Sequence, residues 1–377
     1  MSGCRKRIKL LITARDPATA LSFQILIPQL QSHPRFDIAV LAQAPACEIL
    51  RGVFPDLHEF LPEATFADKQ SKVRTFLEVF DADAVLCGIS GPDLGVDEAT
   101  LAVAQQLGIE SYALQSFWGD VNQLSGVVPK HAFVLDDEAV RITEQRYPQI
   151  RSVPIGSIKH ADFKAYDAGA LRALHRPGLL SSGETVIVGF YGQPILEVQG
   201  YFATLEALAR QLREWRREFK LIYRPHPKES EELRTKTWQL FEQAVGDRLQ
   251  WDSATDIVQS LCVADLVVSV FSTCGFDNLY LNEMAEQPFN SSVYLWFDAD
   301  MIAWWQDYSG LTQMPLLSEG LLLSVDKEEE ILPVFEAGLK PEIQQVLWRQ
   351  AKVHLPDPSL AVQKIIDTLV EDLHAAI

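Results

Sequence analysis

The stretch KLIYRPHPKES, residues 220–230, begins as an apolar run and stops abruptly at arginine, proline, histidine, proline and lysine. Three side chains able to carry positive charge gather where a buried strand would end, in a chain whose formal charge is −18. The two prolines donate no backbone N–H and hold the segment extended, so Arg224, His226 and Lys228 are kept at the strand exit. Arginine offers a forked donor to phosphate, and histidine donates one hydrogen bond while neutral or turns cationic beside a phosphate. The same residues also suit a strand exit whose charges pair with the abundant carboxylates.

Outward from this stretch, short apolar runs alternate with helical patterns. Before it lie IKLLITA (8–14), DIAVLA (37–42), DAVLCG (83–88), ESYALQ (110–115), HAFVLD (131–136) and TVIVGFYG (185–192); after it come LQWD, DLVVSV (265–270) and SVYLWF (292–297). Runs that are apolar throughout fit parallel strands covered on both faces. DEATLAVAQQLG (97–108) places Leu101, Ala104 and Leu107 on one helical face and ends at Gly108, a residue favoured just past a helix C-terminus. The pattern loosens at 156–184, which reads as a linker. The expected fold is α/β, two Rossmann-like domains facing across a cleft, at 1–155 and 185–357, with 358–377 a helix packing back on the first. A length of 377 residues favours two domains over one.

Composition narrows the function. The excess of acid excludes a general nucleic-acid binder, which needs a broad basic surface. No run approaches the roughly 18 to 20 apolar residues that cross a bilayer, and MSGCRKRIKLLITA reads as a first strand, not a secretion signal. The five scattered cysteines, with no CxxC spacing, suggest reduced thiols in a cytoplasmic protein and no structural zinc. No GxxxxGK[ST], no G-x-G-x-x-G after the first strand and no G-x-S-x-G elbow occurs.

In open α/β sheets ligands lie outside the carboxyl ends of the strands. That rule selects Arg15 and Asp16, Gly88 to Asp93, Ser116 to Asp120, Gly192 and Gln193, Arg224 to Lys228, and Phe271 to Asn278. In ADLVVSVFSTCGFDNLY, Ser272, Thr273 and Gly275 open a helix; small hydroxyl residues and a glycine there make an anion cradle, or an ordinary N-cap. Together with Arg224, His226 and Lys228 on a consecutive strand, they describe a diphosphate bracket. On the other domain Asp93 and Asp16 are candidate general bases, each equally suited to capping or ion pairing. Arg15, Gln115, Ser116, Trp118, Asp120 and Gln193 are candidate contacts for a sugar or acceptor, with Trp118 as an aromatic platform or a packing residue. Trp304 and Trp305, beside Asp298 and Asp300, read as an exposed acceptor platform or, more ordinarily, as a helix burying one tryptophan at the domain contact.

The pair YRPHP and ADLVVSVFSTCGFDNLY resembles the donor-binding half of GT-B-fold sugar-nucleotide enzymes, especially the CDP-glycerol glycerophosphotransferase and polysialyltransferase type and the UDP-N-acetylglucosamine 2-epimerase superfamily. The resemblance implies that His226, Arg224, Ser272 and Thr273 meet donor phosphate, that 185–357 is the nucleotide-donor domain and that 1–155 serves the acceptor. The chain departs from the epimerase turn Gly-Thr-Arg-Pro-Glu, having TARDPAT with Asp16 after Arg15. It also has no histidine after an N-domain strand, which the polyol-phosphate transferases favour. For ribose it offers only Asp277 or Glu283. The expected activity is metal-independent transfer of a sugar or phospho-polyol group from a nucleotide-activated donor to a hydroxyl acceptor, with His226 stabilising the leaving phosphate and no resident cofactor. A UDP-sugar 2-epimerase and a non-catalytic nucleotide-sugar-binding or assembly protein are the alternatives.

Overall fold

The stretch Ile8–Ala14 forms β1, whose residues split between two faces with the period of two that a strand imposes. Ile8, Leu10, Ile12 and Ala14 pack with Phe23, Ile27 and Leu30 of the helix Pro17–Ser32, whereas Leu11 packs with Val73, Leu77 and Val103 on the opposite side. Both faces are therefore covered, which is why the run carries almost no polar residue. The computed structural model describes residues 7–61, 63–91, 93–180 and 184–375, and the chain divides into two compact units, 1–161 with 355–377, and 162–354.

Unit 1 continues with β2 (Phe36–Gln43), β3 (His58–Phe60), β4 (Ala84–Gly88), β5 (Glu110–Leu114), β6 (His131–Val134) and β7 (Arg151–Pro154). The seven strands are all parallel, in the order β3-β2-β1-β4-β5-β6-β7. The helix Ala361–Ala375 returns to this unit, adding Ile365, Ile366, Leu369 and Leu373 to the core beside Phe23 and Ile27. Asp372 pins it from outside, accepting from the Tyr112 hydroxyl at 3.2 Å and from Arg151 at 3.0 Å.

Unit 2 holds β8 (Val186–Tyr191), β9 (Phe219–Arg224), β10 (Leu249–Trp251), β11 (Leu266–Ser269), β12 (Ser291–Leu295) and β13 (Leu323–Val325), again parallel, in the order β10-β9-β8-β11-β12-β13. Each unit is thus a Rossmann-like α/β layer. β3, β7 and β13 were not among the expected strands. They are three to four residues long and lie at sheet edges, and HEF, RSVP and LSV are too short to show a period.

The stretch expected to be a linker, 156–184, is built into the fold. It carries a 3-10 segment, Ile158–Ala165, and a helix, Ala168–His175, while 181–183 lie outside the described residues. Arg172 and Arg176 converge on Asp265, just before β11, at 2.7 and 2.8 Å. Arg172 also donates to the carbonyls of Cys262 and Ala264 at 2.6 and 2.8 Å. Asp265 in turn accepts from the Ile187 N–H at 2.8 Å, so one carboxylate joins the segment to two strands. Asp265→Ala strands two half-buried guanidinium groups; the expected loss is about 3 kcal/mol, read as a lower urea midpoint at unchanged slope.

Candidate functional site

The strand order of unit 2 reverses between β8 and β11, the switch point at which open α/β sheets bind ligands. β8 lies between β9 and β11, so the two candidate phosphate motifs leave strands on either side of it and not adjacent strands as the sequence suggested. Both are tied to the exit of β8. On one side the Gly192 N–H donates to the Arg224 carbonyl at 3.0 Å. On the other, the Gln193 Oε1 accepts the Phe271 N–H at 3.0 Å, while the Gln193 N–H donates to the buried Tyr201 hydroxyl at 2.9 Å. Gln193 is 7% exposed, and its amide oxygen is already committed to this latch.

The organiser of the β9 exit is Glu229, just before the helix Glu231–Val245. It is buried, accepts the Tyr223 hydroxyl, and accepts the His226 N–H at 2.7 Å. Burial raises its pKa, opposed by those two hydrogen bonds. The Nδ1 of His226 accepts the Lys228 N–H at 3.0 Å. A backbone N–H only donates, so the neutral ring carries its proton on Nε2. Burial, and after it the Lys228 charge, lowers the His226 pKa, making the imidazole a neutral donor near pH 7. Arg224 is held by Asp252 at 2.7 Å and by the Ala254 carbonyl at 3.3 Å. Asp252 is nearly buried and also accepts from the Ser260 hydroxyl at 2.6 Å, so this guanidinium works first as a brace between the β9 and β10 exits. Lys228 is exposed, with no ammonium partner among the described residues.

At the β11 exit Ser272 caps the helix Thr273–Met284, its Oγ accepting the Cys274 N–H at 3.3 Å. The Ser272 N–H donates to Ser269 Oγ at 3.0 Å, and its carbonyl accepts the Tyr294 hydroxyl at 2.7 Å. Ser272 is therefore spoken for, whereas Thr273 is exposed and its hydroxyl has no partner among the described residues. Gly275 lies against the Tyr294 ring, 2.5 Å from where a Cβ would sit, so packing requires it. Asp277 lies within the first turns of this helix. Glu283 stands at its far end beside Lys352, 3.8 Å away, remote from the strand exits. Trp305 is buried; Trp304 is half-buried and stacked between Phe271 and Tyr308, with centroids 5.9 and 5.2 Å away.

Unit 1 has its own switch point, between β1 and β4. Arg15, leaving β1, donates to Ser90 Oγ at 3.1 Å and to the Asp93 carbonyl at 2.8 Å, and lies on Gly95, where a Cβ would meet it at 2.7 Å. Asp93 is exposed and does not cap the following helix, Val96–Leu107; Glu98 does, accepting the Gly95 N–H at 2.7 Å. Asp16 caps the helix Pro17–Ser32 through the Ala18 N–H at 2.8 Å. Gln115 is buried, bonded to the Asp120 carbonyl and the Thr143 hydroxyl, each at 3.0 Å. Trp118 is not a sugar platform in this structure: it is 3% exposed, and its indole N–H donates to Asp136 at 3.0 Å. Ser116 is exposed. Asp120 keeps open surface but sits in a crowded setting, which together with the nearby negative Asp16 pushes its pKa up to about 6.

Beneath this edge lie Asp97 and Glu98, both almost completely buried. Asp97 accepts the Thr13 hydroxyl at 2.6 Å, and Glu98 the Ser90 hydroxyl at 3.1 Å. Burial raises both pKa values, and the Asp97 charge helps push Glu98 to about 7. Every residue from Val96 to Ala104 is buried, so the helix has no solvent face at its start. Among the described residues no three His, Cys, Asp or Glu side chains gather as metal ligands, no helix is long and apolar enough to cross a membrane, and Cys47, Cys87, Cys262 and Cys274 are free thiols. Cys4 lies outside the described residues.

No family model and no curated protein matches the chain. Solved structures do. A UDP-GlcNAc 2-epimerase from Neisseria meningitidis, bound to UDP-GlcNAc, is 12% identical with a TM-score of 0.61, over 97% of this chain and 100% of its own. MurG from Acinetobacter baumannii is 13% identical with a TM-score of 0.63, over 97% and 99%. A glycosyltransferase from Rickettsia africae is 10% identical with a TM-score of 0.63, over 97% and 98%. The chain therefore has the GT-B-type fold of these sugar-nucleotide enzymes, along nearly its whole length.

The buried carboxyl of Glu98 yields a pH test. Its folded-state pKa stands above the ordinary 4.5, so its contribution is full in the protonated state and is lost as pH rises toward and through about 7. Glu98→Gln is expected to shrink the difference between urea-unfolding stability at pH 5 and at pH 8; an unchanged difference would remove Glu98 as its source.

Proposed function

We propose that the chain is a sugar-nucleotide enzyme that transfers a glycosyl, or related phospho-polyol, group from a nucleotide-activated donor to a hydroxyl acceptor. The observation that carries this is the β8 exit. It supports, on one side, the neutral Nε2–H of His226 with the free ammonium of Lys228 and, on the other, the exposed hydroxyl of Thr273 at a helix start capped by Ser272. Hydrogen-bond donors and a helix N-terminus at one strand edge suit the oxygens of the departing nucleotide, a nucleoside diphosphate when a glycosyl group is transferred and a nucleoside monophosphate when a phospho-polyol is. Arg224 acts at this edge through its brace to Asp252. None of these groups needs a metal to bear the developing charge, and the reaction is read as metal-independent.

The proton acceptor is assigned to Asp120. It combines accessible surface with a pKa pushed toward the working range, where a carboxylate is a better base. Asp16 supports it by charge. The shared fold with UDP-GlcNAc 2-epimerases keeps one second reading, in which a UDP-sugar is inverted with no acceptor.

Three measurements test the proposal. Proton NMR of a UDP- or CDP-sugar incubated with the protein alone is expected to show an unaltered sugar, with nucleotide released faster once a hydroxyl acceptor is added; a new epimer would favour the second reading. Turnover should survive excess chelator, and loss restored by magnesium would reject the metal-independent step. In the pH–rate profile, the ascending limb near 6 should vanish in Asp120→Asn with a drop of about 100-fold, and should move to lower pH in Asp16→Asn, because removing the like charge favours the ionised Asp120.

A further inference from the structure

Glu229 sits in an unusual place for a carboxylate: beneath the loop proposed to receive phosphate, inside a chain already rich in acid. It is 5% exposed, and a methyl group added to Gly192 would lie 1.9 Å from its Oε1, so the β8 exit is shaped around it. Its two oxygens are used separately, one by the Tyr223 hydroxyl and one by the His226 N–H. Arg234 closes the turn from the other side, donating to the Pro227 carbonyl at 3.2 Å and reaching the His226 carbonyl at 3.5 Å. The Glu229 N–H donates back to the His226 carbonyl at 2.9 Å.

We infer that Glu229 is a positioning residue for the donor-phosphate loop: its carboxylate fixes the His226 backbone against Gly192, and thereby the turn in which the Lys228 N–H holds Nδ1 and leaves Nε2–H as the ring's donor. The inference rests on the proposed function for what that donor meets, but not for the geometry itself. A buried negative charge weakens phosphate binding through space, so the residue's value lies in its shape and acceptors. Glutamine reproduces both: its Oε1 accepts the His226 N–H, and its amide donates to the Tyr223 oxygen, a hydroxyl able to accept.

The test compares Glu229→Ala, Glu229→Gln and wild type in two ways. In ligand-free protein, 15N NMR of the imidazole and hydrogen exchange of the His226 amide report the geometry. Glu229→Ala is expected to lose the Nε2–H signature and the amide protection, and Glu229→Gln to keep both. With UDP and CDP as probes, calorimetry is expected to show binding about tenfold weaker in Glu229→Ala and equal or tighter in Glu229→Gln. An alanine variant with wild-type imidazole shifts and protection overturns the inference, as does a glutamine variant as impaired as the alanine. If wild type binds neither nucleotide, the proposed function fails while the ligand-free spectra still decide the role of Glu229. Should Glu229→Ala not fold, Gly192→Ala displaces the same carboxylate and is expected to shift the same signals.

Discussion

The exit of β8 is the constraint on which unit 2 turns. A central strand of a parallel sheet has neighbours on both sides, so the residues just beyond it are the only ones that reach both flanking loops. Gly192 and Gln193 occupy that place. The first leaves room for the Glu229 carboxylate and the β9 turn; the second holds the β11 loop by its backbone N–H. A side chain at 192 or an apolar residue at 193 would disconnect loops that lie some 45 residues apart in sequence. The sheet supplies the alignment, and two small polar contacts convert it into a shared site.

Under the proposed function, a chain of formal charge −18 meets phosphate without a cluster of free cations. Of the three basic residues in RPHPK, Arg224 is neutralised by Asp252, and His226 is biased to its neutral form by burial and by Lys228. What remains is the exposed ammonium of Lys228, the Nε2–H of His226, and the start of a 12-residue helix whose Ser272 cap already takes the Cys274 N–H. Fixed donors of this kind carry little net charge, so they coexist with a negative surface and do not need its carboxylates removed.

The core strands were legible because fully covered strands must be apolar along their whole length, and IKLLITA, DAVLCG and TVIVGFYG advertise that with no competing period. Their exits were legible for the same reason, since a polar residue ends each run. Edge strands such as His58–Phe60 escaped because one side faces no partner and polar residues are tolerated there. The candidate site divides along a similar line. Residue type and position brought out His226, Ser272 and Asp120, but not which of their atoms are already engaged. Gln115, Trp118, Arg224 and Gln193 look in sequence like free ligand contacts, and in the structure they spend their polar atoms on neighbours. Glu229 and the Asp97–Glu98 pair were hidden by the opposite error: acidic residues at helix starts are ordinarily solvated, and only tertiary packing shows these to be enclosed.

The two strand edges consequently differ in kind. At the β9 and β10 exits of unit 2 the carboxylates of Glu229 and Asp252 are each engaged by hydroxyl, amide or guanidinium donors, so their charge is spent inward, and the exposed Lys228 beside them is a donor. In unit 1 the enclosed Asp97 and Glu98 face mostly hydroxyls, and the accessible groups above them, Asp16, Asp93 and Asp120, are acceptors. Burial, and after it the negative Asp16, pushes the Asp120 pKa up to about 6. One edge thus presents donors and the other acceptors. That contrast follows from where each unit's carboxylates are satisfied, not from how many it carries.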